Sequence, residues 1–230
     1  MTDTTLPEST VASPEAPAVP LVSDAFRKYA LIILLLVYTI NFLDRQIVTI
    51  LAEPIKNDLN LADWQIGAMS GFAFALFYTF LGLPIARLAE TKNRVWIISA
   101  CLVVWSGFTV LCGQAATFVQ LLLARVGVGI GEAGCTPTSH SLITDYVPKE
   151  KRASALAFYS IGTPLGGLLG SVLGGLMADA FGWRAAFLMA GLPGLILTVV
   201  VLFTLREPRK QAAAPVVSAA PAAQEGFMDT

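Results

Sequence analysis

Six long apolar runs, separated by short charged connections, constrain this chain more than any other feature of it. They extend from Tyr29 to Leu51, Trp64 to Leu88, Val95 to Gly113, Phe118 to Tyr146, Ala153 to Met177 and Ala185 to Leu205. A helix rises 1.5 Å per residue, so about 20 apolar residues cross the roughly 30 Å hydrocarbon layer of a bilayer. Each run is therefore read as a transmembrane helix of an all-α membrane protein. Composition agrees, because 55% of the 230 residues are hydrophobic and 13% are charged, against roughly 25% charged in soluble domains. The fourth run exceeds a minimal span and is expected to tilt or kink, with Pro137 as the expected place.

Residues 1–26 carry Pro7, Pro14, Pro17 and Pro20 without periodicity and read as a disordered tail that is no secretory signal. Residues 27–208 hold the six spans, and 209–230 form a second, Ala/Pro-rich disordered tail. Positive charge sets the orientation, since Lys and Arg stay on the cytoplasmic side. Arg27, Lys28, Arg87, Lys92, Arg94, Lys149, Lys151, Arg152, Arg206, Arg209 and Lys210 fall on one side, and only Lys56 and Arg184 on the other. Both termini are thus expected in the cytoplasm. A net charge of −1 gives no reason to expect nucleic acid as a partner or a polybasic lipid anchor. Cys101, Cys112 and Cys135 lack the close pairing of a metal or redox site and read as small core residues. No cofactor or metal is implied.

Charges inside spans are costly, at about 2.5–3.5 kcal/mol each on insertion scales. Asp44 and Arg45 lie about 22 Å of helix rise beyond Tyr29, within YTINFLDRQIV. Arg125 and Glu132 lie in ARVGVGIGEAG, seven residues apart and so on one helix face. One reading is that each acid neutralises a base and pins helices together. Four such groups cost roughly 10–14 kcal/mol, however, a large sum for a task that small residues perform. The functional reading is a proton switch: burial favours the protonated carboxylate, a nearby cation favours the ionised one, and movement between the two environments loads and releases a proton. Glu132, nearer the midplane, leads for that role. Asp44 has Arg45 adjacent and is a candidate for a permanently ionised pair, and Arg45 and Arg125 are alternatively anchors for an anionic substrate. His140, further along the same span, is either a packing residue or a proton relay.

Gly129, Gly131 and Gly134 spell G-x-G-x-x-G, but inside a membrane span they read as sites of close helix approach, not a dinucleotide fingerprint. Gly162, Gly166, Gly170 and Gly174 recur every fourth residue and make a smooth ridge on which another helix can pack or slide. Arg87, Glu90, Arg94 and Asp145 gather at the expected cytoplasmic face and on their charges alone read as an ordinary solvated loop. An intramembrane protease is disfavoured, because Ser139 and His140 point about 100° apart on one helix. The chain is not read as an enzyme.

These motifs resemble the N-terminal six-helix half of the major facilitator superfamily, and specifically its bacterial spinster-like branch, over roughly residues 27–210. NFLDRQ and ARVGVGIGEAG are similar to that branch's charged signatures, which implicates Asp44, Arg45, Arg125 and Glu132 in proton coupling and substrate handling. The glycine ridge resembles the fifth-helix motif of exporters and antiporters, with Ser171 where a proline is usual. The Arg87–Arg94 loop matches the family's gating motif in part, with Glu90 for the usual Asp and Arg94 retained. GWRAAF at 182–187 and REP at 206–208 also resemble family text. The resemblance implies a proton-coupled, alternating-access carrier of an amphipathic or lipid-like anionic small molecule in a bacterial inner membrane, completed by a second six-helix half. The chain is accordingly expected to be a truncated product or to pair as a homodimer. The alternative class is a half-size, non-transporting membrane module with a lipid-binding or regulatory role.

Overall fold

The computed structural model describes residues 22–208, so the expected tails lie outside the described residues except for a short stretch next to the first helix. The helices are α1 (Asp24–Leu59), α2 (Asp63–Gly67), α3 (Ala73–Thr91), α4 (Arg94–Cys112), α5 (Phe118–Ala133), α6 (Cys135–Tyr146), α7 (Arg152–Ser160), α8 (Gly162–Phe181) and α9 (Trp183–Thr204). A π-helical turn, Ala68–Phe72, joins α2 to α3, and a 3-10 turn, Lys149–Lys151, precedes α7. Stacked end to end, these pieces make six helices long and apolar enough to cross a membrane. The first begins at Asp24, inside the segment read as tail, because Ser23 caps it by accepting a hydrogen bond from the Phe26 amide. Asn93 and Thr117 cap α4 and α5 in the same way.

Two spans break just ahead of a proline. The fourth span is interrupted at Gly134, three residues before Pro137, and the fifth at Ile161, three residues before Pro164. A proline has no N–H for the carbonyl four residues back and its ring crowds that carbonyl, here Ala133 and Ser160. The kink expected at Pro137 therefore sits at Gly134 instead. Pro54, Pro84 and Pro193 lie within helices that continue through them.

The starts and ends of the helices divide between two faces. On the termini face, Tyr29 of α1 donates to Thr204 of α9 at 2.7 Å, and Arg27 donates to the Tyr146 carbonyl at 2.9 Å. On the opposite face Asp58 accepts from Arg184 at 2.7 Å and from the Trp183 indole at 3.1 Å, while Arg184 also reaches the Ala115 carbonyl. Gly182, at φ 83°, makes the sharp turn into α9, a backbone region that glycine enters freely.

α1 packs chiefly on α8, and α4 on α9 and α5. The glycine ridge of α8 makes the first contact possible. A Cβ on Gly170 would lie 2.8 Å from the Leu43 carbonyl oxygen, and one on Gly166 would lie 2.7 Å from the Phe42 Cβ. Gly131 and Gly134 likewise let α5 close on Trp105 and Cys101 of α4, which favours the packing role for that glycine motif. All three cysteines are buried and unpaired. By contrast, Trp64, Phe80 and Leu83 on the second span and Leu168 and Leu176 on the fifth are more than half exposed. Those faces require lipid or further helices against them.

Candidate functional site

The four intramembrane charges meet at the centre of the bundle, and they pair across helices. Arg45 of α1 donates through Nε to Glu132 Oε2 of α5 at 2.6 Å. Arg125 of α5 lies 3.4 Å, through Nη1, from Asp44 Oδ2 of α1, and Thr109 of α4 donates to Asp44 Oδ1 at 2.8 Å. Asp44 is thus paired with Arg125 and not with its neighbour Arg45, because adjacent residues on a helix point about 100° apart. Asp44, Arg125 and Glu132 are buried almost completely, whereas the Arg45 side chain keeps 27% of its surface exposed. Its guanidinium lies 4.7 Å from the ring centre of Tyr78 and 5.3 Å from that of Phe42. The arrangement is a neutral cluster of two acids and two bases, with one cation at its rim framed by aromatic faces.

His140 stands apart from this cluster. It is exposed on α6 and lies edge-on to Tyr159, ring centres 5.3 Å apart.

A second charged cluster closes the termini face around Arg94, which is fully buried. Its Nη1 pairs with Asp145 at 2.7 Å and donates to the Ser141 carbonyl at 2.9 Å. Its Nε donates to Glu207 Oε1 at 3.1 Å, its Nη2 pairs with the same carboxylate, and its backbone N–H donates to Glu207 Oε2 at 2.6 Å. Tyr146 donates to the neighbouring Arg206 carbonyl. Arg94 and Asp145 are therefore brought together, while Arg87 and Glu90 sit exposed on α3. Glu207 is the member that sequence reading did not single out. It ties the segment after α9 to the start of α4. Charge-assisted bonds to a buried group contribute about 1.5–3 kcal/mol each, so Glu207→Gln is expected to loosen this face. Amide exchange at the end of α9 should accelerate more than in Asp145→Asn, because the Asp145 side chain is already 34% exposed. Equal protection in both variants would contradict this account.

A cleft of about 570 Å³ also opens on the termini face, between α1 and α7, with Arg27, Lys28 and Lys151 above Leu31 and Phe158.

Six helices long and apolar enough to cross a membrane among the described residues, with ion pairs buried between them, define a multi-pass integral membrane protein. The chain belongs to the Major Facilitator Superfamily, whose family model matches residues 34–227. It is 38% identical over 185 residues to an MFS-type efflux pump of Mycolicibacterium smegmatis, covering 80% of this chain and 43% of that protein. It is 34% identical over 173 residues to the hexuronate transporter of Bacillus subtilis, covering 74% of this chain and 40% of the relative. Among solved structures, a bacterial homologue of the human lysosomal transporter spinster, in an inward-facing and unoccupied conformation, superposes with a TM-score of 0.78 at 42% identity. That match covers 81% of this chain and 44% of the other. The chain thus spans less than half the length of these relatives and corresponds to the N-terminal portion of the family fold.

Proposed function

We propose that this chain supplies one half of a proton-coupled, alternating-access carrier for an amphipathic or lipid-like organic anion. The observation that supports this most is the asymmetry of the two ion pairs. Asp44–Arg125 is sealed among α1, α4 and α5, whereas Arg45–Glu132 has a partly exposed cation. An organic anion that engages Arg45 competes with Glu132 for it, and a carboxylate that loses its cation in a buried site favours protonation. Anion binding and proton uptake are linked through one guanidinium. The hexuronate transporter among the relatives is named for a carboxylate substrate, which accords with an arginine-centred site.

A second six-helix layer, from another chain segment or a second copy, completes the pathway against the exposed faces of the second and fifth spans. The termini lie in the cytoplasm of a bacterial cell in this reading, which places the Arg94–Glu207–Asp145 cluster as a cytoplasmic gate. His140, about 12 Å of helix rise beyond Glu132 towards that face, reaches the carboxylate only through intervening groups. Its part as a relay belongs to the same proposal.

The test is Glu132→Gln, assayed in liposomes by proton flux against a hexuronate and a single-chain lipid phosphate. Transport driven by a pH gradient should fall at least about tenfold, the scale of losing one general acid–base group, while gradient-free exchange of the anion persists. Wild-type pH-driven flux in this variant would sink the coupling. Native mass spectrometry of the protein from its own membranes reports the assembly. A lasting six-span monomer would instead favour a non-transporting module.

A further inference from the structure

One layer of the bundle interior, one turn from the Asp44–Thr109 bond, contains polar atoms that the protein leaves unsatisfied. Asn41 of α1 is 1% exposed, and neither its Oδ1 nor its Nδ2 has a hydrogen-bond partner among the described residues. Ser106 of α4 is fully buried with its Oγ in the same condition. Glu132 of α5 commits Oε2 to Arg45 and leaves Oε1 without a bond.

Helix register brings these three to one level of the bundle. α1 and α4 are the first and third spans and run in the same direction, joined by the bond from Thr109 to Asp44. Three residues back along each helix is close to one turn on the same face, which sets Asn41 opposite Ser106. α5 enters at this level, since a Cβ on Gly131 would lie 2.8 Å from the Trp105 Cβ, and Glu132 follows Gly131. Gly194 of α9 closes the side, against Ser106 and Ile40.

We propose that this layer is an internal hydration site, with water bound between the Asn41 amide, the Ser106 hydroxyl and Oε1 of Glu132. Each unpaired buried polar group costs about 1–3 kcal/mol, and buried groups without protein partners in native structures are bonded to ordered water. An amide, a hydroxyl and a carboxylate oxygen supply the two to four bonds such a water requires. The occupant is neutral because the adjoining cluster already balances two carboxylates against two guanidiniums, and a bound cation would add an uncompensated charge. Asn41 acts here as a positioning residue: its Nδ2 donates to the water and its Oδ1 accepts from it. The role of the water rests on the proton-coupled reading. It receives the Glu132 proton from Oε1 and passes one of its own protons onward in the same step.

The test uses the full chain in lipid nanodiscs and does not depend on transport. Infrared difference spectra in ordinary and oxygen-18 water should show an isotope-sensitive O–H stretch from internal water, lost in Asn41→Leu and in Ser106→Ala. Asn41→Leu should also lower Tm, by roughly 5 °C, because water contacts are lost. A raised Tm in Asn41→Leu would show that the amide was orphaned and overturn the site, as would an isotope-sensitive band unchanged in both variants. Should Asn41→Leu fail to fold, the band in Ser106→Ala decides alone: its loss supports the site and its persistence overturns it. Loss of coupling in Glu132→Gln with these signals intact, or the reverse, separates the hydration site from the carrier reading.

Discussion

Replacing Arg125 with methionine is expected to cost about 3–5 kcal/mol of stability, the range for removing one partner of a buried ion pair. Among the described residues Asp44, 1% exposed, would then keep the Thr109 hydroxyl. The loss should appear as a fall in melting temperature of roughly 10 °C in mild detergent. The double variant Asp44→Asn/Arg125→Met removes both charges and should recover a large part of that loss, because the penalty lies in the orphaned charge more than in the missing attraction. Simple additivity of the two single variants would show that the groups do not act as a pair. Arg45→Met provides the contrast. Its side chain is partly exposed, so solvent shares in screening what remains, and the expected stability loss is smaller.

The second large effect belongs to the glycine ridge. In Gly166→Leu the new side chain would be driven into the α1 backbone, where even a Cβ would lie 2.9 Å from the Leu43 nitrogen and 2.7 Å from the Phe42 Cβ. Backbone cannot yield as a flexible side chain does, so α8 must move away from α1. Overpacking of this kind costs about 1–3 kcal/mol, and separating the two helices also strips the face of α1 next to Asp44 and Arg45. Gly167→Leu is the matched control, since no atom lies within 4 Å of a Cβ there. Circular dichroism melts should place Gly166→Leu well below wild type and Gly167→Leu near it. Equal melting of the two would remove the ridge from its packing role.

Much of this architecture was legible because lipid permits so few solutions. Span number, approximate limits and the division of basic residues between two faces follow from apolar run length and the positions of Lys and Arg. The four intramembrane charges were legible for the same reason, their expense. What sequence does not carry is which acid meets which base, since Asp44 and Arg45 are neighbours in the chain yet face different partners on α5. Nor does it give Glu207 a partner: the acid stands in family-like REP text, but only the end of α9 delivers it to Arg94. The break at Gly134 was missed by one turn because a proline disturbs the carbonyl behind it instead of its own position. Asn41 and Ser106 passed unremarked because uncharged polar residues are common in spans, and only burial without partners sets them apart.

The fourth and fifth spans break at matching positions, at Gly134 and at Ile161. Cys135–Tyr146 and Lys149–Ser160 each run twelve residues between the termini face and a break, about 18 Å of helix. Both discontinuities therefore lie at one depth, beside Glu132 on one strand of this hairpin and beside Gly162 against Tyr38 on the other. Residues 135–160 thus form a hairpin of two short helices, broken at its inner end and tied at its outer end to Arg94 through Asp145 and to Arg27 and Arg206 through Tyr146. A break already lacks the hydrogen bond that a bend would sacrifice, so bending of this hairpin costs least at that level, which is also the level of the buried carboxylate.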